Sequence, residues 1–133
     1  MKTVLVTGGA RGIGKAISKK FADEGWRVLI NYNTSEKAAK ELEEEIGKDR
    51  CKAYKADISC YEEVKKMVSD ILQEFGKVDV LINNAGIAGQ KLFCDITPDD
   101  WKKMFSVNVD GVYNVTSLIL QTFTLLSWLD IAG

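Results

Sequence analysis

A glycine-rich stretch near the amino terminus is the first candidate for chemistry in this chain. Glycines stand at positions 8, 9, 12 and 14 of "VTGGARGIGKA", between an apolar β-branched run and a segment with helical spacing. Glycine permits positive φ angles and a close approach of the backbone. Free amides at the start of the following helix, with the positive end of its dipole, favour a diphosphate. We therefore predict a nucleotide site; the alternative is a glycine-rich turn that binds nothing.

The side chains available for proton transfer limit the catalysis open to the chain. The sequence has no histidine, which excludes Ser-His-Asp and Cys-His catalysis and most zinc sites, and no metal site is predicted. A tyrosine and a lysine four residues apart, Tyr61 and Lys65, share one helix face. We interpret them as a solvated pair, because their helix covers the sheet away from the carboxyl-end crevice where ligands bind.

The composition is that of one globular domain over residues 1–133. The chain is 46% hydrophobic and 28% charged, and its net charge of −1 gives no reason to expect nucleic acid or an anionic membrane surface as partner. Cys51, Cys60 and Cys94 are odd in number and widely spaced, so a disulfide framework is not expected. The expected location is a reducing cytoplasm.

Strand and helix patterns alternate along the chain and must position these groups. The apolar runs predict strands at 3–7, 27–32, 51–57 and 78–83, the last as a run buried on both faces. Helical spacing predicts helices at 12–25, 35–47 and 59–76, and two more from about 98 and about 111. This alternation predicts an α/β fold with a parallel sheet and helices on both faces.

Local signals predict how the helices begin and which face they bury. The first helix is expected to place Ile13, Ile17, Phe21 and Ala22 on one apolar side. Ser59 and Glu62 have the spacing of a capping box for the third helix. Thr97, followed by proline and two acids, has the pattern of a capped fourth helix.

Motifs along the chain resemble those of the short-chain dehydrogenase/reductase family. They are the loop Thr7-Gly8-Gly9-Ala10-Arg11-Gly12-Ile13-Gly14, Asp57 after the third strand, Asn83-Asn84-Ala85-Gly86 at the end of the fourth, and Asn108. The resemblance covers residues 1 to about 120 and is nearest to the 3-oxoacyl-(acyl-carrier-protein) reductase type. It implies a Rossmann-type doubly wound sheet, of which the predicted strands form the 3-2-1-4 portion.

The resemblance also implies which residues bind a nicotinamide dinucleotide. The loop from Gly8 to Gly14 would hold the diphosphate, Asp57 and Ile58 would flank the adenine, and Asn84, Ala85 and Gly86 would pass under the nicotinamide-side ribose. The residue types leave other roles open. Asp57 is also placed to cap the next helix, and the asparagine pair has the turn chemistry that ends strands.

The segment after the second strand bears on which nicotinamide cofactor binds. NAD-binding sites place an Asp or Glu about 20 residues beyond the glycine loop, where it accepts from the ribose 2′-hydroxyl. This chain has Asn33, Thr34 and Ser35 there and no carboxylate. These side chains could donate to a 2′-phosphate, and Arg11 and Lys37 could pair with it, so NADP(H) is expected rather than NAD(H). The alternative is that Arg11 and Lys37 are solvated surface charges.

The resemblance implies reduction of a small-molecule ketone, such as a 3-oxoacyl thioester, by a tyrosine, a lysine four residues later, a serine and an asparagine. No lysine or arginine follows Lys103, so Asn108 is the one member of this set in the sequence. The alternative for Asn108 is a helix-terminal asparagine. The chain is therefore expected to be a shortened, partial family member that is inactive by itself.

Residues 111–129 carry no formal charge, a length that raises the question of a membrane span. Seven polar residues interrupt the stretch, and no basic flank follows, so a buried helix is expected and no membrane partner. By resemblance, this helix would pack against a neighbouring subunit, giving a homo-oligomer or self-association. Two other functions stay open: a non-catalytic nucleotide-binding or oligomerising module completed by a partner chain, and a membrane-associated protein.

Overall fold

The computed structural model describes residues 1–87 and 91–132, with side chains as far as residue 122. The strands are β1 (Thr3–Val6), β2 (Arg27–Tyr32), β3 (Cys51–Lys55) and β4 (Val80–Ile82). The helices are α1 (Gly12–Asp23), α2 (Glu36–Ile46), α3 (Tyr61–Phe75), α4 (Pro98–Phe105) and α5 (Gly111–Ala132). A 3₁₀ turn (Phe93–Asp95) precedes α4, and a π-helical turn (Ser106–Asp110) joins α4 to α5.

The strands form one parallel sheet in the order β3-β2-β1-β4. Val4 of β1 stands beside Val28 of β2 on one side and Val80 of β4 on the other. This confirms the predicted α/β fold, the strand order and the parallel pairing. Because every strand runs the same way, the loops that follow the four strands all lie at the carboxyl-terminal end of the sheet.

Two buried clusters, one on each face of the sheet, hold the helices in place. Side chains alternate in direction along a strand, so Leu5 and Leu29 enter the cluster under α3 and α5, whereas Val4 and Val28 enter the cluster under α1 and α2. These four residues have no exposed surface. The two central strands are thus sealed on both faces, as β-branched apolar runs of a parallel sheet require.

The pattern-based prediction that the fourth strand is buried on both faces is wrong, whereas the end position that the predicted order 3-2-1-4 gives this strand is confirmed. Val80, Leu81 and Ile82 are each only partly buried. Among the residues that the structure describes, β4 pairs with β1 alone and so forms an edge of the sheet. The apolar run is typical of a central strand, but its burial depends on a neighbour on the other side, which a local pattern does not reveal.

The prediction for the first helix is wrong at Ile13, whose side chain is 75% exposed. The buried face of α1 carries Gly14, Ser18 and Ala22. The Ser18 hydroxyl lies 2.8 Å from the Gly14 carbonyl oxygen, to which it donates. Small side chains occupy this face because the first turn of α1 packs closely against the preceding glycine loop.

The two predicted helix caps have different outcomes. The Ser59–Glu62 capping box is wrong: α3 begins at Tyr61 without a side-chain cap, and the Ser59 hydroxyl donates instead to Asp57 Oδ1 at 2.6 Å. The Thr97 cap is confirmed as a capping box with Asp100. A hydrogen bond from Lys91, together with the capping bonds, lowers the pKa of Asp100 to about 2.

The two last predicted helices form one continuous helical segment through the π turn. Val115, Leu118 and Ile119 are buried against the α3 face of the sheet, whereas Tyr113 and Leu120 are exposed. The expected buried helix is therefore buried on one face as far as residue 122, and the later side chains lie outside the described residues. No helix in the described part of the chain is long and apolar enough to cross a membrane.

Candidate functional site

A cleft of about 470 Å³ opens at the carboxyl ends of the strands. Its walls come from the loops that follow all four strands and from the α4–π segment. The structure brings together in this wall ten of the residues predicted to bind a cofactor: Gly8, Ala10, Arg11, Asn33, Thr34, Ser35, Asp57, Ile58, Ala85 and Gly86. This is the position where open α/β sheets bind their ligands.

The glycine loop turns from β1 into α1 with its backbone close to the surrounding loops. Gly8 and Gly12 have φ angles of +60° and +53°, which side chains rarely adopt. A Cβ atom on Gly14 would lie 2.1 Å from the Gly8 carbonyl oxygen. A Cβ atom on Gly9 would lie 2.8 Å from a methyl of Ile30. Gly9, Gly12, Ile13 and Gly14 are not in the cleft wall; they shape the turn and begin the helix beside it.

The first turn of α1 leaves backbone donors open. Its N-cap residue, Arg11, makes no side-chain capping bond. The first amides of an α-helix have no partner within the helix, and the earliest bond here is from Lys15 N to Arg11 O. The amides of Gly12, Ile13 and Gly14 are therefore free of helical partners, at the positive end of the helix dipole. An anion of the size of a diphosphate matches these donors.

The loop after β4 is tied to the glycine loop through Thr7. The buried Thr7 Oγ1 accepts hydrogen bonds from the amides of Asn84 and Ala85, both at 3.0 Å. Asn84 Nδ2 in turn lies 3.2 Å from Thr7 O and 3.1 Å from Gly8 O. The Asn84 side chain is thus directed at the glycine loop and supports it. A contact between Asn84 and a ribose stays a prediction.

Asn31, the fifth residue of β2, lines the cleft and was not predicted as a site residue. Its buried side chain accepts from Gly8 N at 3.4 Å and donates to Ala56 O at 3.0 Å. It therefore joins the glycine loop to the end of β3, beneath the cleft. The available signal was a polar residue inside an otherwise apolar strand, since a buried amide side chain must find hydrogen-bond partners.

Neutral hydrogen-bond donors of the β2–α2 connection lie beside one cation, the Arg11 side chain of the glycine loop. Arg11 Nη1 lies 3.3 Å from Ser35 Oγ, and Thr34 stands next to them in the wall. Lys37 is outside the cleft, 92% exposed and 4.0 Å from Glu41. Among the described residues, Asp57 is the single carboxylate of the wall, and it comes from the β3–α3 loop.

Asp57 serves the loop that leads into α3 and lines the cleft as well. Its Oδ1 accepts from the amide of Ser59 at 3.0 Å and from the Ser59 hydroxyl at 2.6 Å. Its own amide donates to Glu63 Oε1 at 3.2 Å. Asp57 therefore does not cap α3, which was the alternative role, but stabilises the turn before it. Asp57 also stays in the cleft wall beside Ile58.

Asn108 lies in the π turn, and its side chain forms hydrogen bonds with the loop after β4. Both polar atoms of its side chain bond to the backbone of Ile87, at 2.8 and 2.9 Å. Asn108 is not itself in the wall, but three residues from the same part of the chain are: Lys103, Ser106 and Val107. Sequence reasoning missed them and Ile87, because only tertiary packing brings this segment over the cleft.

The remaining tyrosines do not form a proton-donating pair in the cleft. Tyr61 and Lys65 are both absent from the wall, and Tyr61 is 41% exposed. Tyr32 does line the cleft, but the residue four positions later is Glu36. What the described wall offers is a set of backbone and side-chain donors, which suits binding of a dinucleotide rather than acid–base chemistry.

Known proteins resemble this chain in sequence and structure. A family model described as short chain dehydrogenase matches residues 2–127. Acetoacetyl-CoA reductase of Paracoccus denitrificans is 39% identical over 115 residues, which are 86% of this chain and 46% of that protein. A 3-oxoacyl-(acyl-carrier-protein) reductase of Staphylococcus aureus is 39% identical over 116 residues, 85% of this chain and 47% of that protein.

Solved structures agree with the sequence relatives. A Serratia marcescens short-chain dehydrogenase/reductase superposes with a TM-score of 0.85 at 31% identity, over 91% of this chain and 50% of that one. The chain thus spans about half the length of the relatives it matches. The match of the family model over residues 2–127, on a fold with this cleft, shows that the chain belongs to the short chain dehydrogenase family.

Proposed function

We propose that the cleft binds NADP(H) and that it serves the reduction of a ketone, such as a 3-oxoacyl thioester. The observation that supports NADP(H) rather than NAD(H) is the contact between Arg11 and Ser35. It lies beside the β2–α2 connection, which adds no carboxylate to the wall. A carboxylate there would accept from a ribose 2′-hydroxyl and repel a 2′-phosphate, whereas a guanidinium and hydroxyls favour the phosphate. The names of the two sequence relatives support the substrate class.

The wall residues and the loops that support them then each have a role toward the dinucleotide. The amides of Gly12, Ile13 and Gly14 take the diphosphate, with Gly8, Gly9 and Ala10 shaping the turn. Arg11, Asn33, Thr34 and Ser35 surround the 2′-phosphate. Asp57 and Ile58 flank the adenine, and Ala85 and Gly86 lie under the second ribose, with Asn84 holding them to the glycine loop. The cofactor supplies the hydride, and the chain orients it.

Asn108 acts here as a positioning residue. Both of its side-chain polar atoms are engaged by Ile87, so its effect on the reaction passes through the loop that lines the cleft. The sequence has no lysine after Lys103, and hence no tyrosine–lysine pair beyond Asn108. We propose that the 133-residue chain binds the cofactor without turnover, and that the proton donor must come from residues outside it.

The test is a fluorescence titration of the chain with NADPH and with NADH, followed by an assay with acetoacetyl-CoA. The expected result is a dissociation constant at least tenfold lower for NADPH, a difference of about 1.4 kcal/mol, and no oxidation of NADPH above the enzyme-free rate. Equal affinities would refute the 2′-phosphate site. Saturable turnover would refute the claim that the proton donor is absent.

A second candidate is a nucleotide-binding module that a partner chain completes. The observation that favours it is apolar surface that the described residues leave uncovered. Half-buried β4 has an unpaired edge. From α4 through the π turn to the start of α5, a stripe of apolar side chains is exposed by 45–68%: Trp101, Phe105, Val109 and Tyr113. Large exposed apolar patches mark association sites, so we propose self-association through this helical face.

Mixing and sedimentation separate these possibilities. A compact monomer at high concentration would contradict self-association. Turnover restored by a second chain that carries the serine and the tyrosine–lysine pair would support completion in trans, and a mixture that stays inert would favour a binding module. A cytoplasmic location is proposed with either function, because Cys51, Cys60 and Cys94 are all free thiols.

A further inference from the structure

Asn31 is a buried polar residue in a strand whose centre is apolar. Its side chain is 2% exposed, and Leu29 and Ile30 before it have no exposed surface. Because side chains alternate in direction along a strand, Asn31 is on the same face as Leu29, where its neighbour is Met67 of α3. A buried carboxamide lowers stability unless its polar atoms are hydrogen-bonded. The partners of Asn31 therefore indicate what this side chain does.

The two ends of the carboxamide bind the loops that follow the two neighbouring strands. Oδ1 accepts from Gly8 N at 3.4 Å, in the glycine loop after β1. Nδ2 donates to Ala56 O at 3.0 Å, directly after β3. Among the described residues, no other side chain forms hydrogen bonds with both of these loops. Asn31 thus joins the β1 side of the cleft to the β3 side.

The peptide groups of Gly8 are held from two sides. Asn31 Oδ1 accepts from the Gly8 amide, and Asn84 Nδ2 donates to the Gly8 carbonyl oxygen at 3.1 Å. The amide of Gly9 donates to the backbone oxygen of Asn31 at 3.2 Å. The position of Gly8 is therefore fixed on β2 through both the backbone and the side chain of Asn31.

The first turn of α1 depends on where Gly8 lies. A Cβ atom on Gly14 would lie 2.1 Å from Gly8 O, so this turn packs directly on the Gly8 carbonyl group. The amides of Gly12, Ile13 and Gly14 belong to the same turn, and they are the donors proposed for the diphosphate. A displacement of Gly8 would therefore also displace these donors.

The other end of the carboxamide fixes the segment that leads into the proposed adenine wall. Ala56 is buried, and its amide donates to Tyr32 O at 3.0 Å. Both polar groups of Ala56 are thus bonded to consecutive residues of β2, Asn31 and Tyr32. Asp57 and Ile58 follow directly in the cleft wall. One side chain of β2 therefore sets the adenine wall and the diphosphate donors relative to each other.

We propose that Asn31 is a positioning residue of the cleft, which holds the diphosphate loop and the adenine wall in the arrangement that the dinucleotide needs. This inference rests on the proposed function, because it assigns the two loops to the two parts of the cofactor. A site that is ordered before its ligand arrives binds more tightly, since less conformational freedom is lost on binding. The carboxamide acts through the two loops, because its polar atoms already have partners in the protein.

The test compares a ligand that needs both loops with one that needs only the adenine side. In Asn31→Ala, the dissociation constant of NADPH should rise at least about tenfold, because diphosphate and adenine no longer meet a preordered site. That of adenosine 2′-phosphate, which has no diphosphate, should rise less than about threefold. Fluorescence titration measures the first and an NMR titration the second. A general loss of structure would weaken both ligands alike.

Hydrogen exchange of the cofactor-free chain gives a readout that does not depend on binding. The Gly8 amide should exchange at least about tenfold faster in Asn31→Ala, because its acceptor is gone, whereas the amides of Leu29 and Ile30 should keep their protection. Asn31→Thr, similar in size and suited to a strand, should behave in the same way without leaving a cavity. Circular dichroism verifies that each variant is folded.

Asn114→Ala is the matched control. Asn114 is also a buried carboxamide, and its Nδ2 donates to Ile58 O at 2.9 Å, but it has no bond to the glycine loop. This variant should weaken NADPH and adenosine 2′-phosphate by similar factors and leave the exchange of the Gly8 amide unchanged.

The outcomes separate this inference from the proposed function. A wild type that binds NADPH, with Asn31 variants that weaken both ligands equally or leave the Gly8 amide protected, would overturn the positioning role alone. A wild type that binds neither ligand would refute the proposed function and this inference with it, even if the exchange of Gly8 changes. Failure of both Asn31 variants to fold would assign Asn31 to folding and would also overturn the positioning role.

Discussion

Asn108 holds the backbone of Ile87 from both sides: Oδ1 accepts from Ile87 N at 2.8 Å, and Nδ2 donates to Ile87 O at 2.9 Å. The two residues are 21 positions apart. The bond pair joins the π turn between α4 and α5 to the loop that leaves β4, and Ile87 lines the cleft. A side chain predicted to take part in catalysis is thus positioned to fix the shape of the cleft.

The pairing predicts an effect of charge at position 108. Asn108→Asp keeps the shape and the bond from Ile87 N, but turns an anionic oxygen toward Ile87 O. At pH 7 we expect the free energy of unfolding to fall by about 1–2 kcal/mol. The repulsion raises the pKa of the introduced carboxyl above its ordinary value of about 4, so the loss should be present at neutral pH, shrink as the pH falls through the raised pKa, and be absent below about pH 4, where the carboxyl is protonated and can donate.

Urea unfolding of wild type and variant at several pH values measures this difference. Asn108→Ala is the matched control, because it removes both bonds without adding charge, and its loss should not depend on pH in this range. An Asn108→Asp variant as stable as the wild type at pH 7 would show that the contact with Ile87 does not contribute to the free energy of unfolding.

Gly14 provides a prediction about the packing of the glycine loop. A Cβ at this position would lie 2.1 Å from Gly8 O and 2.5 Å from Asn84 Nδ2. The nearer atom is backbone, so Gly14→Ala must displace the loop, at an expected cost of about 3 kcal/mol in the free energy of unfolding, and NADPH binding should be lost. Gly25→Ala is the control, because a side chain at its φ of +85° is strained but no atom lies within 4 Å of the added Cβ. The free energy of unfolding should fall by about 1–2 kcal/mol in that variant. Similar losses in both variants would contradict the steric argument.

The parts of the fold that were predictable are those that local chemistry determines. The run from Arg27 to Tyr32 has the apolar centre Val28, Leu29 and Ile30, and it forms β2 with the predicted bounds. Thr97, Pro98 and Asp100 each stand where a helix start favours them, and the capping box is present. The glycine loop stands where β1 meets α1, so its place at the cleft follows from the parallel topology.

The parts that failed depend on competition between nearby partners or on distant ones. Ser59 had the spacing to cap α3, but Asp57 two residues earlier accepts its hydroxyl proton. Asn31 and Thr7 hold the cleft together through contacts with residues 23 to 78 positions away, and no local pattern encodes such pairs. The partial exposure of β4 likewise follows from its place at the end of the strand order and not from the apolar residues of the strand.

The cleft wall predicts a change of cofactor preference at position 33. Asn33→Asp keeps the side-chain shape and adds a carboxylate where NAD-binding proteins hold the ribose 2′-hydroxyl. The dissociation constant of NADPH should rise at least tenfold, because the carboxylate repels the 2′-phosphate, whereas that of NADH should stay unchanged or fall. Fluorescence titration of both cofactors measures the ratio.

Gln73→Glu is the control for Asn33→Asp, since it adds one negative charge on α3, outside the cleft wall. It should leave the NADPH to NADH ratio unaltered. An Asn33→Asp variant with the wild-type ratio would mean that the 2′-phosphate is held elsewhere, and the proposed role of Arg11 and Ser35 would fail with it.

The three cysteines should differ in reactivity because their surroundings differ. Burial, with the nearby charge of Glu43, raises the pKa of Cys51 to about 12, and its side chain is 2% exposed. Cys94 is exposed. The thiolate is the reactive form, so iodoacetamide at pH 8 should alkylate Cys94 at least 100-fold faster than Cys51, as followed by mass spectrometry of peptides.

The raised pKa of Cys51 also predicts how the stability of the chain changes with pH. A thiol whose pKa is raised on folding stabilises the folded state at pH values below its unfolded pKa of about 8.5, and this contribution declines as the pH rises above that value. This contribution of Cys51 should therefore be lost between about pH 8.5 and its folded pKa of about 12, and Cys51→Ala should reduce the slope of stability against pH in that range. Unfolding in urea should equalise alkylation of Cys51 and Cys94. Rapid labelling of Cys51 in the native chain would show that the start of β3 opens to solvent, contrary to the packing described here.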